Sequence, residues 1–149
     1  MMKIAQYGTA IAFIHAIANG LHGLAHVKIP IALSLIQGLF IGIVIFLVPI
    51  LAAILLWTKF SRLGIWLLLF SLAGSGFFGL YNHYMVISPD HVSQVPFAEW
   101  GLLFQVTAFL ILIVDGFGCG FGVWALRTLS FAPQQEKAAC ILTRNSLQD

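Results

Sequence analysis

Long runs of hydrophobic residues, separated by short polar segments, divide this chain into four stretches. The runs cover residues 4–27, 31–57, 63–87 and 97–126. Each is long enough for an α-helix to cross a hydrocarbon core, which takes about 20 apolar residues, and a chain inside lipid must satisfy its own backbone hydrogen bonds. The pattern predicts an all-α integral membrane protein, a four-transmembrane-helix bundle in contact with the lipid bilayer. Residues 1–127 are predicted to form one domain, and 128–149 a short polar tail that is frayed or disordered.

Polar segments mark where the predicted helices end. KIP at 28–30 interrupts the first run, TKFSR at 58–62 follows the second, and SPDHVSQVPFAEW at 88–100 forms the longest loop. Pro96 suits the first turn of the fourth helix, because proline has no N–H to leave unpaired there.

Composition supports a membrane protein and excludes several other classes. Of the 149 residues, 60% are hydrophobic and 8% charged, and the mean hydropathy is +1.00, whereas a soluble domain has about 25% charged residues. The net charge of +2 gives no reason to expect nucleic acid as a partner. Cys119 and Cys140 do not form a CxxC pair, which argues against cysteine redox chemistry. No nucleophile, base and orienting group can be assembled from the spacing, so the sequence assigns no enzymatic reaction.

Basic residues are distributed unevenly between the two ends of the predicted helices. With a cytoplasmic N-terminus, Lys28 alone lies outside. The remaining basic residues then lie inside: Lys3, Lys59, Arg62, Arg127, Lys137 and Arg144. The positive-inside rule therefore predicts that both termini are cytoplasmic, in an inner or plasma membrane.

Glycines at a spacing of four recur in the second and fourth runs. They are Gly38 with Gly42, Gly116 with Gly120, and Gly118 with Gly122. GxxxG spacing lets two helices approach closely. The sequence leaves open whether the partner helix belongs to the same chain or to a second copy in a homo-oligomer.

Histidines form a polar stripe on the first predicted helix. His15, His22 and His26 are spaced by seven and four residues, which places them within about 40° of one another around a helix with 100° per residue, and Asn19 lies beside them. Imidazoles facing lipid are costly, so the stripe is predicted to face the other helices.

Counting residues inward from the outer ends of the helices brings one polar side chain from each to a similar depth. They are His22, Gln37, His83 and Gln105. At 1.5 Å per residue, their depths are about 6 to 12 Å below the outer boundary. The outer half of the bundle is therefore predicted to contain a polar site.

Imidazole is the commonest protein ligand for transition metals, and two histidines four residues apart present their nitrogens to one ion. His22 and His26 have this spacing, and His83 is the third candidate ligand. Further candidates lie in or near the loop: Asp90, His91 and Glu99. The sequence therefore predicts a metal-binding or metal-handling protein, with Zn, Cu or Fe as the ion.

Two alternatives remain open at this stage. His22 and His83 are also candidate axial ligands of a haem b, which would make the protein an electron carrier in the membrane. Alternatively, the polar residues only hydrogen-bond between helices, and the chain is a structural or accessory subunit without a cofactor.

A carboxylate deep in the fourth run suggests a further feature. Asp115 lies inside an apolar segment, where a charge costs about 2.5 to 3.5 kcal/mol, and it needs a partner. The candidate partners are Ser71, Ser75, Thr9 and Tyr7. With His15, Gln37 and Gln105, Asp115 is a candidate for a proton or ion path across the bundle.

Overall fold

Four long helices account for the secondary structure of the residues that the structure describes. The computed structural model describes residues 2–29 and 31–145, with side chains described up to residue 130. The helices are α1 (Met2–Lys28), α2 (Leu35–Leu56), α3 (Ser61–Met85) and α4 (Glu99–Asn145). No strand occurs among the described residues. All four helices contain a segment long and apolar enough to cross a membrane, so the prediction of an all-α chain with four such helices is confirmed.

Helix boundaries differ from the predicted ones where local capping decides them. α2 begins at Leu35 and not at residue 31, because Ser34 and Gln37 form a reciprocal capping box, with Gln37 N donating to Ser34 Oγ (3.2 Å) and Ser34 N to Gln37 Oε1 (2.8 Å). α4 begins at Glu99, three residues after Pro96. The predicted break at Pro30 lies outside the described residues.

The fourth helix is longer than the hydrophobic pattern predicts. α4 continues from the apolar run to Asn145, and the expectation that the tail at 128–149 is frayed or disordered stays a prediction. Residues 134–145 are rich in Gln, Glu, Lys and Ala, which favour helix even where the chain is polar. The side chains of Lys137, Cys140 and Arg144 lie outside the described part.

Two helices contain π-helical segments, in which each backbone N–H bonds to the carbonyl five residues earlier and not four. Ile41–Leu47 forms such a segment inside α2, and Tyr81–Met85 forms the last turn of α3. π-Helical turns release carbonyl groups from the regular ladder and are frequent at functional sites. Both segments lie next to the buried histidines described below.

Neighbouring helices pack in a ring, in which α1 contacts α4, α4 contacts α3, α3 contacts α2, and α2 contacts α1. The larger apolar cluster lies toward the start of α1: Ile4, Ala5, Ile11, Ala12, Ala52, Leu56, Ile65, Leu68, Leu72, Ala125 and Leu126. A smaller cluster of Ala25, Val95 and Phe104 lies toward the other end of α1. Buried polar side chains occupy the level between these clusters.

The outer surface of the four helices is apolar, unlike that of a soluble bundle. Large side chains such as Phe13, Phe70, Phe109 and Phe117 point outward, and Phe117 is 74% exposed. Contiguous apolar surface of this kind needs a partner other than water. The helices thus fit a membrane protein.

The glycines of α4 divide between two faces. A Cβ at Gly118 would collide with Leu72 and lie 3.0 Å from Ile11, and one at Gly122 would lie 3.2 Å from Leu69. A Cβ at Gly116 or Gly120 would meet nothing within 4 Å, and the same is true at Gly38 and Gly42. The 118/122 spacing therefore serves packing within the chain, whereas the other two faces are open.

This division predicts opposite effects of the same substitution on α4. Gly118→Leu is expected to lower the free energy of unfolding by about 1 to 3 kcal/mol through overpacking. Gly116→Leu is expected to leave it unchanged or raise it slightly, because leucine favours helix over glycine. Thermal unfolding of both variants in the same detergent tests the pair, and equal losses of stability would contradict the packing assigned to Gly118.

Candidate metal centre

Three histidines from two helices meet at one point between the helices. His22 Nε2 lies 3.1 Å from His26 Nε2 and 3.1 Å from His83 Nε2. The three candidate ligand atoms lie within 4.8 Å of one another, and all three side chains are buried. The seven-and-four spacing on α1 turns His22 and His26 inward, and the π-helical turn at the end of α3 carries His83. This convergence was expected from the matched depths of His22 and His83.

Hydrogen bonds on the far side of two rings fix their tautomers. His83 Nδ1 lies 3.0 Å from the carbonyl oxygen of Asp90, which can only accept, so His83 donates from Nδ1. His22 Nδ1 lies 2.9 Å from Thr107 Oγ1, whose own hydroxyl donates to the carbonyl of Leu103 at 2.6 Å. His22 therefore also donates from Nδ1. Each neutral ring then presents an unprotonated Nε2 to the centre.

Three neutral rings with these tautomers leave a repulsion between nitrogen lone pairs at the centre. The Nε2 lone pairs of His22 and His83 face each other at 3.1 Å, and His26 has only one N–H to offer from its Nε2. One proton cannot bridge all three nitrogens. With the proton of His26 on Nδ1 instead, all three Nε2 lone pairs point to the centre, and a metal ion is a cation that neutral imidazole nitrogens bind there.

The nitrogen separations suit direct coordination. Metal–nitrogen bonds of about 2.0 to 2.1 Å at tetrahedral angles place two ligand nitrogens about 3.3 Å apart. The two separations of 3.1 Å are close to this value. All three ligand atoms lie within 4.8 Å of one another.

Asp90 brings a carboxylate to the same place. Its Oδ1 lies 3.3 Å from His26 Nε2 and 3.2 Å from His83 Nδ1. These are ion-pair distances without hydrogen-bond geometry, since Oδ1 has no hydrogen-bond partner among the described residues. The carboxylate is therefore placed to balance the charge of an ion or to become a fourth ligand.

Phe104 closes the centre on one side. Its ring centroid lies 4.8 Å from that of His22, 5.1 Å from His26 and 5.2 Å from His83. An aromatic ring against all three imidazoles excludes water from this side and strengthens electrostatic interactions within the centre.

The other two predicted ligands lie elsewhere. The ring nitrogens of His91 lie 2.8 Å from Ser93 Oγ and 3.2 Å from the carbonyl oxygen of Tyr84. Glu99 is exposed at the start of α4, with a φ of 49°. Neither belongs to the group of close ligand atoms found in the described part of the chain, and their predicted role as ligands gains no support.

The separation of His22 and His83 can be compared with the geometry of a haem. Two axial nitrogens on opposite sides of a metal are separated by about 4 Å, twice a metal–nitrogen bond of about 2 Å, and a porphyrin ring must fit between them. His22 and His83 approach to 3.1 Å at Nε2, and His26 touches the same nitrogen of His22. These contacts leave no gap for a macrocycle between the rings.

A second buried pair lies deeper, between α1 and α4. His15 Nδ1 lies 2.7 Å from Asp115 Oδ1, and His15 Nε2 donates to the carbonyl of Ile45 at 3.0 Å. Because the carbonyl only accepts, one proton must lie between Nδ1 and Oδ1, on the ring or on the carboxyl. Asn19 lies beside this pair, donating to the carbonyl of His15 at 3.0 Å.

Other predicted members of a proton path make separate contacts. Gln37 donates to Asn82 at 3.2 Å, and Gln105 donates to the carbonyl of Val95 at 2.8 Å. Ser71 donates to the carbonyl of Val44 at 2.6 Å. The structure thus joins His15 directly to Asp115, and a path that also includes Gln37 and Gln105 stays a prediction.

The remaining candidate partners of Asp115 have other positions. Thr9 accepts a hydrogen bond from Trp57 at 2.9 Å, and Tyr7 is exposed. The hydroxyl of Ser75 is buried with no hydrogen-bond partner among the described residues. Asp115 pairs instead with His15, which the sequence suggested only as a member of a proton or ion path.

The sequence did not identify Thr107 and Phe104, which hold and cover His22. A signal for Thr107 was present, since it is one of the few polar residues within the fourth apolar run. Phe104 carries no such signal, because phenylalanine is common in every run.

Comparisons of the chain with protein-family models, with curated proteins and with solved structures find no match. Function is therefore inferred from the geometry of this chain alone.

Proposed function

We propose that this chain is a small multi-pass membrane protein that binds one transition-metal ion through Nε2 of His22, His26 and His83. The observation that supports this most directly is the approach of His22 Nε2 to within 3.1 Å of both His26 Nε2 and His83 Nε2. Two lone pairs face each other at 3.1 Å because Thr107 and Asp90 hold the opposite nitrogens as donors. Holding the outer nitrogen of a ligating histidine is the usual way in which proteins orient such ligands.

Imidazole ligands suit Zn, Cu and Fe. With three neutral histidines and the carboxylate of Asp90 nearby, a divalent ion would retain one net positive charge. Three protein nitrogens leave a position for the carboxylate or for an external ligand. Asp90, in the loop before α4, can complete the coordination of the ion. The site is therefore suited to retain the ion or to release it to an external ligand.

The setting of the site follows from the four apolar helices. We place the chain in an inner or plasma membrane with both termini in the cytoplasm, because this orientation leaves Lys28 as the one basic residue outside. The metal site then lies toward the outer face. The open glycine faces at Gly38/Gly42 and Gly116/Gly120 are the surfaces through which two copies would associate.

Metal content and a visible spectrum of the purified protein test the proposed function. We expect about one equivalent of a first-row transition metal per chain after extraction in mild detergent, by elemental mass spectrometry, and no Soret band. Dialysis against a chelator followed by incubation with Zn²⁺ is expected to restore one equivalent. A Soret band would support haem, and a protein that neither contains nor takes up metal would support the structural alternative.

A further inference from the structure

A cavity of about 440 Å³ lies beside the three histidines and is lined by all four helices. Typical small-molecule pockets measure about 300 to 1,000 Å³. Most of the wall is hydrocarbon: Val27, Ile31, Ile41, Ile45, Phe46 and Phe78. A metal ion alone needs no apolar space of this size, and a charged or strongly polar solute would lose hydration on entering it.

One end of the cavity is polar. His22, His26 and His83 line it together with Asp90. His26 Nδ1 is buried with no hydrogen-bond partner among the described residues. Ser75 Oγ is a second such atom, but it lines the cavity about two helical turns from His83. Buried polar groups are normally hydrogen-bonded, so His26 Nδ1 indicates that a polar group of a ligand reaches the end at the histidines.

The cavity opens on one side, between α1 and the segment before α2. Val27 and Leu33 line the cavity and are 76% and 41% exposed. Gly23 also lines it, and a Cβ there would meet nothing within 4 Å. Since the outer surface of the helices is apolar, this opening admits molecules that are dissolved in lipid.

We propose that this cavity binds a single-chain amphiphile, with the apolar chain along the hydrocarbon wall and an oxygen-bearing head group at the histidines. A cavity of about 440 Å³ is roughly three times the size of an engineered cavity that holds one benzene, which gives room for about a dozen or more carbon atoms. This volume has room for one acyl chain and not for two. The position of the head group at an ion rests on the proposed function, whereas binding of the chain does not.

Gly23 and Gly20 provide a matched pair of variants. Both are exposed glycines of α1 with nothing within 4 Å of an added Cβ, but only Gly23 lines the cavity. Gly23→Leu places an isobutyl group in the opening, and Gly20→Leu adds the same group outside it. Both changes raise helix propensity equally, so a difference between them reports on the cavity.

Photo-crosslinking of metal-free protein tests chain binding without the metal. The probe is a sixteen-carbon fatty acid with a diazirine near its terminal carbon, added to protein in phosphatidylcholine vesicles, and the labelled peptides are mapped by mass spectrometry. We expect label near Phe46 and Phe78 in the wild type and in Gly20→Leu, with at least a fivefold loss in Gly23→Leu. Label that follows the outward-facing side chains at Phe13, Phe70 and Phe109 equally in all three proteins would overturn the proposal.

A second titration tests the position of the head group on Co²⁺-loaded protein. The probes are octanohydroxamate and acetohydroxamate, which share one metal-binding head and differ by six methylenes, and the readout is the visible absorption of the ion. Each buried methylene contributes about fourfold to affinity, so we expect at least a 100-fold preference for the longer probe in the wild type and in Gly20→Leu. A preference equally large in Gly23→Leu would show that the chain does not use this cavity.

The two measurements distinguish failure of the proposed metal function from failure of the proposed amphiphile site. If the protein takes up no Co²⁺ but the diazirine probe still labels the cavity, the proposed metal function is wrong and the amphiphile site stands. If Co²⁺ binds but neither probe distinguishes Gly23→Leu from Gly20→Leu, the metal function stands and the amphiphile site is wrong.

Discussion

The His22→Ala variant is expected to bind its metal ion at least 100-fold more weakly than the wild-type protein. His22 Nε2 is the one nitrogen that lies 3.1 Å from both of the others, so its removal leaves two of the three nitrogen ligands. Loss of an outer partner of a ligand already costs about 10- to 100-fold in affinity, and loss of a ligand costs more. Competition with a coloured chelator in detergent measures the change.

Two further variants make this result specific. His91→Ala removes the same side chain from the neighbouring loop, where its ring contacts Ser93 and Tyr84, and is expected to bind the ion normally. Thr107→Val keeps the shape of the side chain but removes the oxygen that holds His22 Nδ1 at 2.9 Å, and is expected to lose about 10- to 100-fold. Folded His22→Ala protein with unchanged affinity would exclude the proposed centre.

The sequence predicted the level of this site and the rotation of α1, whose histidine stripe faces inward, but not the rotation of α2 and α4. Residue counting placed His22, Gln37, His83 and Gln105 at one depth, yet only the two histidines face the centre, whereas Gln37 and Gln105 bond to Asn82 and Val95. Spacing fixes angles within one helix, not between helices. In helices that are apolar on every side, no polar face fixes this rotation.

The sequence also did not predict the contributions that the loop and the backbone make to the site. The carbonyl of Asp90 fixes the tautomer of His83, a role that any residue type at that position can fill. The carbonyl of Ile45 accepts from His15 inside a π-helical segment, and no pattern in the run of apolar residues marks that segment. Side-chain chemistry was therefore predicted in part, and backbone chemistry was not.

Replacing His15 with leucine is expected to destabilise the protein by about 3 to 5 kcal/mol, because Asp115 is left buried without its partner. Asp115 is 2% exposed, and its Oδ2 already has no hydrogen-bond partner among the described residues. The reverse change, Asp115→Leu, is expected to cost less. His15 keeps its bond to Ile45, and Asn19 Nδ2 lies 3.3 Å from the freed Nδ1. Chemical unfolding in a mixed detergent series measures both.

The double variant His15→Leu/Asp115→Leu tests whether the stability of the fold requires the pair. Buried pairs replaced together by apolar side chains of similar shape are often as stable as the original, so the double variant is expected to be more stable than His15→Leu alone. Costs that simply add would show that the two side chains do not act together. Recovery of stability would instead show that the fold does not require the pair. Its proton, held between Nδ1 and Oδ1 at 2.7 Å, would then point to proton or ion transfer, since ionisable groups inside membrane helices are costly and usually serve function.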